Sequence, residues 1–208
     1  GLHRDGGFAD SVRMPAANAL PLPAGLPLEV AALTEPLAVS INAVNVAGVA
    51  AGDRVVVLGP GPIGMGIALV AHARGADVLL AGFRDDARLA LAHDMGIPAV
   101  ADLAQVTLAE AVQDYFNVAP DVVIEATGRP PSVAEGLAVL RPGGVLAVVG
   151  IHAEPLSLDL NQLVRGKKQL RGAHDSTSQG FAEAIARLAA DPGLYARMIT
   201  HRLPLAQA

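Results

Sequence analysis

The 208-residue sequence contains no cysteine and no tryptophan. Without cysteine there is no disulfide, no thiolate nucleophile and no cysteine-bound zinc within these residues. Two tyrosines and four phenylalanines hold the aromatic share at 3%, too little for a platform on which bases or sugars stack. The formal charge of −5 is spread along the chain, with no basic stripe, so nucleic acid and anionic membrane are poor partners. The uncharged apolar stretch Ile63 to Ala71 falls well short of the roughly 20 residues that cross a bilayer. No charged-then-apolar leader opens the sequence, and a cytoplasmic protein is the expectation. The chain opens at Gly1, ahead of a strand-like segment, and stops at Ala208 just past another. A piece of a longer protein is therefore expected.

What is present is apolar. Ala, Val, Leu and their like make up 52% of the residues, enough for the core of one full domain with part of another. Gly7–Met14 and Met198–Leu205 alternate as strands do, and the proline-rich Ala19–Pro27 passage suits an extended linker. Helical spacing begins at Leu28, and Thr34 with Pro36 starts a second helix towards Ala47.

From Arg54 onward, short apolar runs alternate with helical stretches. Strands are expected at Arg54–Leu58, Val78–Ala81, Ala99–Ala101, Asp121–Glu125, Val145–Gly150 and Gln169–Gly172. Helices are expected at Pro62–Arg74, Asp85–Met95, Leu108–Phe116, Ser132–Leu140 and Phe181–Ala190, with a short helical turn at Asn161–Val164. Strands that alternate with helices imply parallel βαβ units, and runs such as Val55-Val56-Val57-Leu58 are apolar throughout, as buried parallel strands are. The expected fold class is α/β, a doubly wound, six-stranded parallel sheet of the Rossmann kind.

The first strand runs directly into Gly59-Pro60-Gly61-Pro62-Ile63-Gly64 at the start of a helix. Each glycine has a physical task in dinucleotide binding. Gly59 makes the tight turn, Gly61 lets a pyrophosphate approach the backbone, and Gly64 lets helix and sheet pack closely. The helix N-terminus then offers amides and a favourable dipole to phosphate. A ligand-free Gly/Pro turn would carry similar residues; the complete βαβ alternation around this one favours the ligand.

The carboxylate that holds an adenosine ribose belongs at the end of the second strand. Eighteen residues beyond Gly64, that place is taken by Gly82, followed by Phe83, Arg84, Asp85 and Asp86. Arg84 with Arg88 suits a 2′-phosphate, as in NADP sites, while Asp85 and Asp86 oppose one, reach a ribose or cap the next helix. The choice between NAD and NADP stays open. Ala126, Thr127 and Gly128 end the fourth strand, and Val149, Gly150 and Ile151 end the fifth. All six join the candidate cofactor residues because ligands bind at the carboxyl edge of such sheets. His152 is the histidine best placed for a role, although a single histidine after a strand is commonly a surface residue. His174-Asp175-Ser176 resembles a hydrolase set only in composition. Asp175, Ser176 and Ser178 are more simply helix caps, and Lys167-Lys168 a solvated turn.

Several segments occur in a familiar order: Gly6–Asp10, Thr34-Glu35-Pro36-Leu37-Ala38-Val39, Gly52–Gly64, Leu140–Gly144 and Ile199–Pro204. Together they resemble the zinc-dependent medium-chain dehydrogenases, especially the sorbitol and threonine dehydrogenase branch, over essentially the whole chain. The resemblance implies hydride transfer between a secondary alcohol or polyol and NAD or NADP, in a homodimer or homotetramer. It divides the chain into a catalytic-domain remnant and linker (1–34), an NAD(P)-binding domain (35–197) and the start of a return to a mostly-β catalytic domain (198–208). It implies a zinc ion in the full-length enzyme, held chiefly by residues ahead of Gly1, and none in this fragment. Glu35 matches the glutamate near that zinc, although a carboxylate in a first helical turn is also favourable without metal. No catalytic residue is assigned within the chain. Where the family often has histidine, this chain has Asn42. Two other readings are an S-adenosylmethionine-dependent methyltransferase and a nucleotide-sensing module without catalysis. Gly64 and a sixth parallel strand count against the methyltransferase.

Overall fold

The computed structural model describes residues 5–207. After a 3₁₀ turn at Ala16–Asn18 come α1 (Leu28–Ala31) and α2 (Thr34–Ala47), and then the alternation begins. It runs β1 (Arg54–Leu58), α3 (Pro62–Ala73), β2 (Asp77–Gly82), α4 (Asp86–Asp94) and β3 (Ala99–Asp102). The second half holds α5 (Leu108–Phe116), β4 (Val122–Glu125), α6 (Pro130–Val139), β5 (Val145–Val148), α7 (Asn161–Gly166) and β6 (Gln169–Gly172). It closes with α8 (Ser178–Ala190), α9 (Pro192–Ala196) and a 3₁₀ turn at Leu205–Gln207.

The six strands form one parallel sheet in the order β3-β2-β1-β4-β5-β6. The order reverses between β1 and β4, which opens a crevice at their carboxyl ends. Side chains alternate across each strand and feed two cores. Val55 and Val57 join α2, α3, α4 and α8 on one face, while Val56 and Leu58 join α5 and α6 on the other. Leu28–Ala47 is long and apolar enough to cross a membrane by length and composition, but half of it is buried, and α2 packs on α3 and α8. At the opposite edge from the crevice, Asp121 accepts from Arg54 (Nε, 2.8 Å) and Arg141 (Nε, 2.7 Å) and ties β1 to the start of β4 and β5. Burial would raise the Asp121 carboxyl, but the hydrogen bonds from both arginines and from the Arg54 amide outweigh it. They hold the carboxyl well below the usual carboxylate range.

The expected six strands and their helices are present, with ends moved by one to three residues. The strands expected at Gly7–Met14 and Met198–Leu205 are not. A strand needs a neighbour for its amides and carbonyls, and among the described residues no seventh strand borders the sheet. Residues 7–14 are exposed and irregular, and α9 ends just before Met198. Asp191 follows the last residue of α8, and its carboxylate accepts from the Leu194 amide (2.9 Å) and starts α9. The cap of α8 is Thr177, which accepts from the Gly180 amide (3.0 Å), and not Asp175, Ser176 or Ser178. Asp175 sits at φ +65° in the turn before it. Asn42 fastens that turn from α2, its Nδ2 donating to the carbonyls of His174 (3.2 Å) and Asp175 (3.0 Å). Lys168 is not a solvated turn residue: its Nζ donates to the Leu137 carbonyl (2.5 Å) at the end of α6, and burial lowers its pKa.

Candidate active site

The turn after β1 is built from three different glycine constraints. Gly59 takes φ +103°, a left-handed conformation, while its amide donates to the Ala81 carbonyl (2.8 Å) of the neighbouring β2. Gly64, in the first turn of α3, lies so close to the Gly59 carbonyl that any Cβ would overlap it. Gly61 differs from both. Its backbone is ordinary extended (φ −70°, ψ 177°), and a Cβ there would meet nothing within 4 Å. It caps α3 with Pro62 at the first position, and the first intrahelical bond runs from the Met65 amide to the Gly61 carbonyl (2.8 Å). The Ile63 and Gly64 amides precede that bond and lack helical partners. The result is an open turn at a helix N-terminus, with two amides that have no helical partner, the kind of place where anions bind.

A cavity of about 490 Å³ opens beside this turn, between the carboxyl ends of β2, β1 and β4. Gly59, Pro60 and Gly61 line its base. Gly82, Phe83 and Arg88 stand on the β2 side, and Ala126, Thr127, Arg129 and Ser132 on the β4 side. Seven of the residues singled out from sequence thus share one cavity: Gly59, Gly61, Gly82, Phe83, Arg88, Ala126 and Thr127. Pro62, Ile63 and Gly64 form the first turn of α3 behind the glycine turn. Gly128, Val149, Gly150 and Ile151 lie further along the carboxyl edge, outside the cavity lining.

At the end of β2, Gly82 is required by close packing, since a Cβ would crowd the Pro60 ring. Phe83 is half exposed and has two guanidinium groups near its ring, Arg84 at 5.4 Å and Arg129 at 5.8 Å from the ring centre. Arg84 sits at φ +55°, its amide donating to Asp102 Oδ1 (2.8 Å). Asp102 also accepts from the Ala104 amide, and these two backbone bonds lower its carboxyl pKa. Arg88 is paired with Asp85 (3.1 Å) and so is partly neutralised. Asp85 occupies the N-cap position of α4, but its side chain makes that ion pair and no cap bond. Arg129 had no signal of its own in the sequence. It becomes visible only when β4 is laid beside β1 and β2 and its side chain faces Phe83 across the crevice.

The ends of β4 and β5 carry a second arrangement. Glu125 is fully buried. Its Oε1 accepts from the Thr127 amide (2.7 Å), the Thr127 hydroxyl (2.5 Å) and the Gly128 amide (2.9 Å). A hydroxyl has one proton, so Thr127 Oγ1 then accepts from Ser132 Oγ (3.0 Å) and from the Arg129 amide (3.0 Å). His152 is not a surface residue: its Nε2 lies 3.3 Å from Glu125 Oε2.

Glu35, the expected metal residue, is exposed in the first turn of α2. Among the described residues no three of His, Cys, Asp or Glu come together as a metal site. The donors present do not fit zinc, which takes three or four protein ligands, and no chemical step is assigned to a metal here.

The family model described as zinc-binding dehydrogenase matches residues 62–190. L-galactonate-5-dehydrogenase of Escherichia coli (strain K12) is 33% identical over 99% of this chain and 60% of its own length. A sorbitol dehydrogenase of Halalkalibacterium halodurans is 31% identical over 100% of this chain and 61% of its own. Among solved structures, a zinc-binding-dehydrogenase-like protein of Sinorhizobium meliloti 1021, bound to NADP, superposes with a TM-score of 0.82 at 27% identity. That match covers 96% of this chain and 58% of the other. The chain thus spans about three fifths of the length of the relatives it matches.

Proposed function

Because the chain belongs to the zinc-binding dehydrogenase family, we propose that it supplies the NAD(P)-binding part of an enzyme that transfers hydride between a secondary alcohol and the nicotinamide ring. The substrate class is a polyol or a sugar acid, in keeping with the names of the relatives. Residues 35–197 form the cofactor domain in this reading, with 1–34 and 198–208 belonging to a catalytic unit. The observation that carries the proposal is Gly61: an ordinary backbone with empty space where a side chain would stand, at a helix N-terminus and beside the crevice.

The bound dinucleotide supplies the hydride chemistry, and the chain's residues hold and orient it. The Ile63 and Gly64 amides face the pyrophosphate, helped by the α3 dipole. Gly82 and Phe83 take the adenosine, with Arg84 and Arg88 beside its 2′ position. The β4 and β5 edges, Ala126–Gly128 and Val149–Ile151, take the nicotinamide half. Arg84 favours NADP, and the Asp85–Arg88 pair weakens that preference by occupying the second arginine. Any zinc in the reaction would draw its main ligands from outside this chain, with Glu35 at most contributing one oxygen. A cytoplasmic homo-oligomer completes the proposal, its self-association supported by β6, which is bonded on one side only.

Thermal-shift measurements with NADH, NADPH and S-adenosylmethionine test this reading. Stabilisation by a nicotinamide dinucleotide and not by S-adenosylmethionine is the expected result. The reverse would overturn it.

A further inference from the structure

Among the described residues Glu125 is the only fully buried acid, and the cofactor reading assigns it no task. A carboxylate out of water is unfavourable unless each oxygen is compensated. Oε1 is compensated locally, by the two amides and the hydroxyl of the loop that follows β4. Oε2 is compensated from elsewhere, by His152 in the loop that follows β5. One buried carboxylate therefore joins two loops that are adjacent in space but more than twenty residues apart in sequence.

The loops also meet backbone to backbone. A Cβ on Gly150 would come within 2.7 Å of Glu125 Oε2, and one on Gly128 within 2.6 Å of the Ile151 carbonyl oxygen. The amides of Val149 and Gly150 both donate to the Glu125 carbonyl (2.8 and 3.2 Å). The imidazole is 12% exposed and its Nδ1 is buried without a partner. An apolar side chain would fill this space without stranding a nitrogen. What only the imidazole offers is the Nε2 hydrogen, and Oε2 as a carboxylate oxygen can accept it.

We propose that His152 is a positioning residue. Through Glu125 it holds Val149–Ile151 against Thr127–Gly128 in the spacing that the nicotinamide half of the dinucleotide requires. The proposal rests on the cofactor reading, in which β1–β2–β3 takes the adenosine half and β4–β5–β6 the other. His152 then acts on one half of the ligand and leaves the other alone.

Calorimetric titration of the parent, His152→Ala and His152→Gln with NADH, NADPH and 5′-AMP tests it. The alanine variant is expected to bind the preferred dinucleotide about tenfold more weakly and 5′-AMP within twofold of the parent. Glutamine, whose side-chain amide also donates, is expected to restore most of the loss. Unchanged dinucleotide affinity in the alanine variant overturns the proposal, as does an equal loss of 5′-AMP, which would mark a general effect on the fold. A glutamine variant no better than alanine overturns the hydrogen-bond route. A parent that binds neither dinucleotide overturns the cofactor reading itself, a failure distinct from the others.

Discussion

Replacing Gly61 by valine separates binding from folding more cleanly than any other change in the turn. The backbone at Gly61 is extended (φ −70°, ψ 177°), a region that β-branched residues adopt readily. The new Cβ meets nothing within 4 Å. The folding cost is then that of a poorer N-cap, about 1 kcal/mol at most, which lowers the melting temperature of a chain this size by about 2–4 °C. Binding should suffer far more, because the isopropyl group fills the space in which a pyrophosphate meets the helix amides. Losing two charge-assisted hydrogen bonds at about 1.5–3 kcal/mol each removes about 3–6 kcal/mol, a loss of roughly 10²- to 10⁴-fold in affinity. Fluorescence titration with NADH and NADPH, alongside thermal unfolding, reads both quantities. A variant with near-parental melting and a dissociation constant within threefold of the parent would refute the placement of the cofactor. Gly64→Ala is the informative contrast, because its Cβ overlaps the Gly59 carbonyl and should damage the turn itself.

Arg84→Ala should weaken NADPH by about 10- to 100-fold, the equivalent of one charge-assisted contact, and leave NADH within twofold; equal effects on both would sink the 2′-phosphate assignment. Asp121→Asn should destabilise the fold by about 1–3 kcal/mol at pH 7 in urea unfolding, since both arginines lose their counter-charge and one of them its accepting oxygen. Because the folded carboxyl titrates below its unfolded value of about 3.9, its contribution is fully present above that value and fades as pH falls through the folded one. The gap between parent and variant should therefore narrow on acidification, and a gap independent of pH would refute the assignment. Self-association through the exposed β6 edge, where Leu170 is 44% exposed, should appear in light scattering as a dimer or tetramer; a monomer at high concentration would count against it.

The parts of this structure that were legible in the sequence are those set by local chemistry. Val55–Leu58, the glycine turn and the start of α3 are consecutive, so strand, turn and helix cap are read from one stretch of chain. The flanking segments failed for the complementary reason. Alternation at Gly7–Met14 says that a strand is possible, but a strand exists only when a neighbour accepts its hydrogen bonds, and that neighbour is not encoded in the segment. The same division runs through the site. Gly59, Gly61 and Gly82 were visible because they fall at fixed places in one stretch of chain; backbone conformation demands glycine at Gly59 and close packing on Pro60 demands it at Gly82, while Gly61 is marked by its spacing alone. Arg129 and the Glu125–His152 pair were not, because each acquires its surroundings only when β4 lies between β1 and β5. Glu125 in sequence is an acid ending an apolar run, a place where solvent exposure is the default. Its burial becomes tolerable only through donors from the loops after β4 and β5. At the end of β4 those donors come from the backbone and hydroxyl of one loop and the imidazole of the next, which is why neither loop alone reveals the pairing.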